Sequence, residues 1–118
     1  SELTREVSRA LSATGLMLLP EGDAMLTLVL QPEQFTQRNV SLTAQARAAE
    51  LELTLFADFT LNQQESEPID ARATVTRQML NDPRNVVGKT EEIRLLREEM
   101  RRDLADQIAR RVSHSLGS

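Results

Sequence analysis

The sequence lacks cysteine, tryptophan and tyrosine, and His114 is its one histidine. Without cysteine the chain can form no disulfide, no thiolate metal site and no cysteine nucleophile. Three phenylalanines are too few to predict a surface that stacks on bases or sugars. A lone histidine near the end of a helical pattern is typical of a solvated side chain, and a metal site needs several converging ligands. We therefore expect no enzyme, no bound metal and no cofactor.

Long apolar runs and glycine-rich motifs are also missing. No apolar stretch approaches the ~20 residues that span a bilayer, and no basic-then-apolar signal segment opens the chain. The four glycines form no GxSxG, Walker-type or Rossmann-type pattern. The chain begins at Ser1, without an initiator methionine and within a helical pattern. We expect from this that a preceding segment, with any export signal or lipid-attachment site, has been trimmed away.

The charge balance of the chain is acidic, with a formal net charge of −4 and a pI of about 5.0. Nucleic-acid binding draws most of its affinity from phosphate neutralisation, so this balance weighs against it. Hydrophobic residues make up 40 % and charged residues 27 % of the sequence, which is ordinary for a globular protein. We predict a single domain over residues 1–118.

Helical spacing marks both ends of the chain. Residues 1–14 repeat apolar side chains every three or four positions, and Gly15 then supplies the left-handed residue that commonly ends a helix. Near the other end, Gly88 and Lys89 are predicted to interrupt a short turn, and Thr90 to cap the last helix. The apolar stripe of that helix drifts slowly around it, which suits packing across a twisted sheet; it consists of Ile93, Leu96, Met100, Leu104, Ile108, Val112 and Leu116.

Between the helices the apolar period becomes two, which indicates strands. Residues 49–61 have the clearest pattern, with apolar residues on one face and mostly polar residues on the other. Residues 62–68 are a polar hairpin connection, and residues 69–79 form the predicted return strand. Arg77 is the exception on the apolar face of that return strand.

The first strands are less regular. Residues 16–19 are a short apolar strand or extended run, and alternating pieces around residues 24–31 and 40–44 flank Pro32. Proline cannot donate to a ladder, so we expect a bulge or an edge position there, with the two pieces forming one long bent strand. The order of helix, strands and helix predicts an α+β fold. It is a two-layer sandwich in which two helices pack on one face of a mostly antiparallel, or mixed, sheet of about four strands.

Three cations are the candidate binding residues. Lys89 follows a glycine just before a predicted helix N-terminus, where backbone N–H groups favour an anion, and it could therefore meet a phosphate. The alternative for Lys89 is an exposed loop lysine without a ligand. Arg38 and Arg47 are each ordinary surface arginines, but together with Lys89 they would form a basic patch on an acidic protein.

Three segments together resemble the LptE family, the lipoproteins of lipopolysaccharide assembly. They are residues 1–11 followed by Gly15, residues 46–53, and residues 81–89 followed by residues 96–100; their letters are SELTREVSRAL, ARAAELEL, NDPRNVVGK and LREEM. The spacing between the segments also agrees with the family, so the resemblance covers nearly the whole chain.

The resemblance implies a lipoprotein at the periplasmic face of the outer membrane, held by an acylated N-terminal cysteine that this sequence lacks. It implies that the protein sits inside the lumen of the β-barrel LptD as a plug and assembly partner, forming a heterodimer, and that it binds lipopolysaccharide. Lys89 falls on the family's matching lysine. Ala44 falls where some members carry an arginine, so Arg47 and Arg38 are the candidates to replace that charge.

Two other classes of function remain open on the residues themselves. A generic periplasmic adaptor would dock on a partner protein without binding lipid. A small α+β nucleic-acid-binding domain would associate with RNA or DNA in a salt-dependent manner, and the low pI and missing aromatic residues weigh against it.

Overall fold

The computed structural model describes residues 1–15, 26–42, 49–81, 84 and 86–117. Two helices flank four strands in the order α1 (Glu2–Ala13), β1 (Leu26–Leu30), β2 (Gln34–Leu42), β3 (Ala49–Gln63), β4 (Ile69–Asn81) and α2 (Val86–Gly117). The predicted strand at residues 16–19 and the predicted site residue Arg47 lie outside the described residues.

α1 begins and ends where the sequence predicts. The Ser1 side chain accepts a hydrogen bond from the Thr4 N–H at 3.2 Å, which satisfies one of the N–H groups that the first turn leaves unpaired. Thr14 follows the last helical residue, and Gly15 has a φ of 87°, a left-handed conformation that costs glycine little. The buried face of α1 consists of Leu3, Val7, Ala10 and Leu11.

β3 is the central strand of an antiparallel sheet. β4 pairs with it from Ala49 opposite Asn81 to Leu61 opposite Ile69. β1 and β2 also pair with β3, along its second and first half respectively. Since a strand has two edges and β4 occupies one of them, β1 and β2 must share the other. The two pieces therefore form one bent strand, as predicted, and the predicted α+β fold is confirmed.

A bulge joins β1 to β2. The Gln31 N–H donates to the Asp58 carbonyl at 2.9 Å, and the next residue pairs of the ladder leave Pro32 and Glu33 together opposite Ala57. A bulge is one of the few places in a sheet where a residue without an N–H does not break a ladder bond. The irregularity predicted at Pro32 is therefore confirmed.

Buried and more exposed side chains alternate along β3 and β4. The sheet therefore has one face that the helices cover, the covered face, and one that they leave open, the uncovered face. Both helices pack on the covered face, as predicted. The buried core on this face consists of Leu51, Leu53, Leu55, Ala57, Phe59 and Leu61 of β3, Ala73, Val75 and Met79 of β4, the four apolar residues of α1, and Met100, Leu104, Ala105, Ile108, Ala109 and Val112 of α2.

Arg77 is on the covered face of β4 without being buried. Its position in the register is opposite Leu53, in the middle of the apolar face. The side chain leaves the core over the edge of the sheet and forms an ion pair with Asp103 of α2. An arginine can bury its methylene stem against apolar neighbours while its guanidinium remains solvated, which explains the exception in the pattern.

The start of α2 differs from the prediction. The helix begins at Val86, so Gly88 and Lys89 lie inside it instead of interrupting it. Thr90 is not the cap, because its hydroxyl donates to the Val86 carbonyl at 3.0 Å from within the helix. A glycine in a helix costs only about 1 kcal/mol relative to alanine, and a helix of 32 residues, about 48 Å long, can accommodate it.

Candidate functional site

Lys89 lies in the first turn of α2, as a half-buried residue of the helix rather than of a loop. No ion pair joins Lys89 to another described residue. The backbone N–H groups of a first helical turn lack partners within the helix, and the helix dipole gives this end a partial positive charge. The first turn of a helix can hold an anion, so Lys89 as a residue that binds one stays a prediction, now from within the helix instead of from a loop before it.

Arg38 lies in β2, on the uncovered face of the sheet. Its Nε atom is 3.0 Å from Oε1 of Glu52 on β3, and its side chain is 73 % exposed. Lys89 belongs to the helical layer on the other side of the sheet, so the structure does not bring Arg38 and Lys89 onto one face. Arg47 lies outside the described residues.

Three large apolar side chains are exposed where β4 ends and α2 begins. Val86 and Val87 in the first turn of α2 are 66 % and 83 % exposed, and Leu80 near the end of β4 is 67 % exposed. An exposed group of aliphatic side chains is a common mark of a binding surface. With a short turn predicted through residue 87, the sequence offered no reason to expect an exposed group here, and the helix that begins at Val86 places only Val86, three residues earlier, on the same side as Lys89.

Glu33 is the centre of an ion cluster that joins the bulge to both helices. Its carboxylate accepts hydrogen bonds from Arg101 Nε at 2.6 Å and from Arg97 Nε at 3.1 Å. Arg101 also forms an ion pair with Glu2 of α1, at 2.6 Å between Nη1 and Oε2. The guanidinium of Arg97 lies 4.7 Å from the centre of the Phe35 ring, a cation–π distance.

Burial and charge act in opposite directions on Glu33. Burial raises the pKa of its carboxyl group, while the hydrogen bonds and positive charges of Arg101 and Arg97 lower it, and the net pKa is below the usual glutamate value. The hydrogen bond to Glu33 correspondingly raises the pKa of Arg101. The side chains of Glu33 and Arg101 are each only 13 % exposed, so solvent screens this pair less than the other described ion pairs.

The uncovered face of the sheet is polar, and two of its carboxylates, Glu52 and Asp58, are paired with arginines. Arg72 of β4 donates two hydrogen bonds to Asp58 of β3, at 2.6 and 3.1 Å, which lowers the pKa of that carboxyl group. The Arg72 guanidinium also lies 4.3 Å from the centre of the Phe56 ring, the one aromatic ring on this face of β3. A row of threonines crosses the whole sheet beside them, formed by Thr36, Thr54 and Thr76.

The described residues contain no group of three or more histidine, cysteine or acidic side chains that could hold a metal ion. Within the same part of the chain, no helix is both long and apolar enough to cross a membrane. His114 is exposed in the last turns of α2.

Comparison with known proteins gives a family and a fold. Residues 1–112 match the family model LptE, described as lipopolysaccharide-assembly. The chain is similar to the crystal structure of rare lipoprotein B from Shewanella oneidensis, with 28 % identity, a TM-score of 0.86, and coverage of 98 % of this chain and 87 % of that one. No curated protein sequence gives a significant match.

A second solved structure has the same fold at lower identity. It is a minor lipoprotein from Acinetobacter baumannii, which is 22 % identical and superposes with a TM-score of 0.78 over 98 % of this chain and 84 % of that one. At this identity the similarity supports the arrangement of helices and sheet only.

We predict that replacing Glu33 by glutamine makes the domain less stable at neutral pH. The loss should be about 2 kcal/mol, since three partly solvated hydrogen bonds to a charged acceptor are weakened. Because the pKa of Glu33 is lowered on folding, its contribution is present above the unfolded pKa, near 4.5, and is lost as the pH falls below that value. Urea unfolding at a series of pH values measures this.

Glu99→Gln is the matched control, since Glu99 is an exposed glutamate of α2 with no ion pair to another described residue. It should leave both the stability and its acid dependence nearly unchanged. If Glu33→Gln and Glu99→Gln had the same stability at every pH, the ion cluster would not stabilise the fold.

Proposed function

This chain belongs to the LptE family of lipopolysaccharide assembly, and from that premise we propose that it is the plug and assembly partner of an LptD-type β-barrel and that it binds lipopolysaccharide. The family match over residues 1–112 is the observation that carries the proposal. The role proposed is one of binding and assembly and not of catalysis. The site of action we propose is the periplasmic face of the outer membrane, with a lipid anchor on the full-length protein.

The dimensions of the domain support a plug and restrict the partner. Its principal extents are 59 × 23 × 20 Å, so it is elongated with a nearly round cross-section. An eight-stranded barrel has an interior that its own side chains fill, whereas barrels of roughly sixteen or more strands leave an open lumen. The proposed partner must therefore be a large barrel, with the long axis of this domain roughly along the barrel axis.

The surface of the domain is compatible with a polar, hydrated environment. The interior wall of an outer-membrane barrel is polar and hydrated. On the outer side of α2, Arg94 pairs with Glu91 and Glu98 at 2.5 and 2.8 Å, so its charge is already compensated before any partner arrives. The threonines and paired charges of the uncovered sheet face have the same property. A surface of this kind can enter a hydrated lumen without leaving a buried charge unpaired.

Lipopolysaccharide binding is proposed at the start of α2. A phosphate group would be held by Lys89 and the N–H groups of the first turn, and acyl chains would contact Val86 and Val87, which are exposed in the same turn. An acidic protein with one such local cationic site can bind a phosphorylated lipid without attracting nucleic acid in general.

Arg38 and Arg47 are also proposed to bind lipopolysaccharide, each for a different reason. Arg38 would have to exchange Glu52 for a phosphate oxygen and would contact the lipid from the uncovered face of the sheet. Arg47 is proposed on the sequence, as the replacement for the arginine that some family members carry at the position of Ala44. Lys89 is the residue on which the proposal depends most.

We predict that the full-length tagged lipoprotein leaves the outer membrane in detergent together with a large β-barrel at one-to-one stoichiometry. Mass measurement of the complex and identification of its components provide the test. A lipoprotein that elutes without any barrel protein would contradict the plug role and favour an adaptor for another partner.

We predict that Lys89→Glu weakens lipopolysaccharide binding by roughly ten- to a hundredfold, because a charge-assisted bond to phosphate is worth roughly 1.5–3 kcal/mol. Arg102→Glu is the matched control, with the same change of net charge on an exposed position of the same helix. Lys89 is the only lysine of the sequence, so ¹³C-dimethylation gives a single side-chain NMR signal that should shift on titration with lipopolysaccharide.

The two parts of the proposal can fail separately. If Lys89→Glu and Arg102→Glu bound lipopolysaccharide equally, Lys89 would not be in the binding site. If the wild-type protein co-purified with the barrel but bound no lipopolysaccharide, the protein would be an adaptor without lipid binding.

A further inference from the structure

The outer edge of β4 is the longest regular strand edge that the described sheet exposes. The 13 residues of β4 pair with β3 in unbroken register, and no bulge or proline interrupts them. The opposite edge of the sheet is interrupted at Pro32 and again by a register shift between Asn39 and Ser41. An exposed regular edge is a template for pairing with another strand.

The hydrogen bonds between the strands show which residues of β4 direct their backbone N–H and C=O groups outward. The Asp58 carbonyl accepts from Gln31, so the even-numbered residues of β3 direct their N–H and C=O groups towards β1 and β2. These directions alternate along a strand, so the odd-numbered residues of β3 bond to β4, and their partners in β4 are odd-numbered too. The outward-facing groups of β4 therefore belong to its even-numbered residues, including Thr74 and Thr76.

Two side chains hydrogen-bond to carbonyl groups of this edge. Gln107 of α2 donates through Nε2 to the Thr74 carbonyl at 3.0 Å. Arg77 donates through Nη1 to the Thr76 carbonyl at 2.9 Å, while its Nη2 is held by Asp103. An incoming strand would need these same two carbonyls as acceptors, and the two side chains would stand in its path.

We infer that Gln107 and Arg77 close the outer edge of β4 against strand addition and thereby keep the protein monomeric, available for a partner of a different kind. The occupant that they exclude is β4 of a second copy of this chain. The closed edge does not depend on the barrel or the lipid, and it gives Gln107 of α2 and Arg77 of β4 a role separate from the core.

A second copy fits because the edge is self-complementary. In an antiparallel pair about a two-fold axis, Thr74 can lie opposite Thr76, and Val75 then lies opposite its own counterpart. Arg72 lies opposite Gln78 in this register, so no like charges face each other directly. The outward groups of Thr74 and Thr76 would exchange hydrogen bonds across the axis as soon as the guarding side chains were removed.

The test opens the edge with the double variant Gln107→Met/Arg77→Leu, which removes both donors. The matched control is Gln64→Met/Arg102→Leu, because it makes the same changes of residue type and net charge at exposed positions away from β4 that donate to no described carbonyl. Sedimentation equilibrium over a range of concentrations should give a monomer for the wild type and the control. The opened variant should have an average mass that rises towards twice the monomer mass.

A third substitution identifies the surface used. Thr76→Pro, added to the opened variant, removes an outward N–H without removing a bond to β3, and it should restore the monomer. Gln107→Met on its own keeps the pair of Arg77 and Asp103, and it provides the same comparison if the double variant is poorly folded; it should dimerise more weakly.

Three results would overturn the inference. The opened variant and Gln107→Met could both remain monomeric at every concentration. The control could dimerise as strongly as the opened variant, which would assign the association to the added apolar surface. The dimer could persist after Thr76→Pro, which would place the contact on another surface.

Discussion

The alternation of side chains along β3 is the constraint on which the rest of the structure depends. Leu53 and Leu55 are completely buried beneath the helices, while Glu52 and Thr54 between them face the uncovered side. Burying one such leucine contributes about 1.5–3 kcal/mol. Because the leucines of β3 all lie on one face of the sheet, the helices that bury them lie on that face too. A slip of one residue in the pairing of β3 would bring its acidic side chains into the core, and the register is therefore strongly specified.

Because one face of the sheet packs in the core, the surfaces left for partners are the uncovered face of the sheet, the edge of β4 and the ends of the helices. Glu33 connects these parts, because the bulge at Pro32 places its carboxylate between Arg97 and Arg101 of α2. Arg101 extends the connection to α1 through Glu2. Ion pairs as well as the apolar core thus fix the position of the helices on the sheet. The start of α2, with Lys89 and the exposed valines, is left available for a partner.

The elements with strong local signals could be predicted from the sequence, since the spacing of apolar residues and the helix-capping residues can be recognised within a few positions. α1, β3 and the buried stripe of α2 are of this kind. The start of α2 was placed wrongly, because Gly88 is a break signal by propensity and its cost is small beside the packing of a long helix. The contacts of Glu33 could not be predicted, because its partners lie 64 and 68 residues away in the chain. For the site, the sequence indicates Lys89 through its position near a helix N-terminus and through the family resemblance, whereas its exposed apolar neighbours depend on where the helix begins.

The most direct test of this account is a comparison of the unfolding free energies of Leu53→Ala and Thr54→Ala in urea. These neighbours in β3 face opposite sides of the sheet, so one substitution opens a cavity under the helices and the other alters only the uncovered face. We predict a loss of about 3 kcal/mol for Leu53→Ala and of about 1 kcal/mol or less for Thr54→Ala. Equal losses would contradict it, because both faces of β3 would then contribute to the core and the proposed partner surfaces would not be independent of the fold.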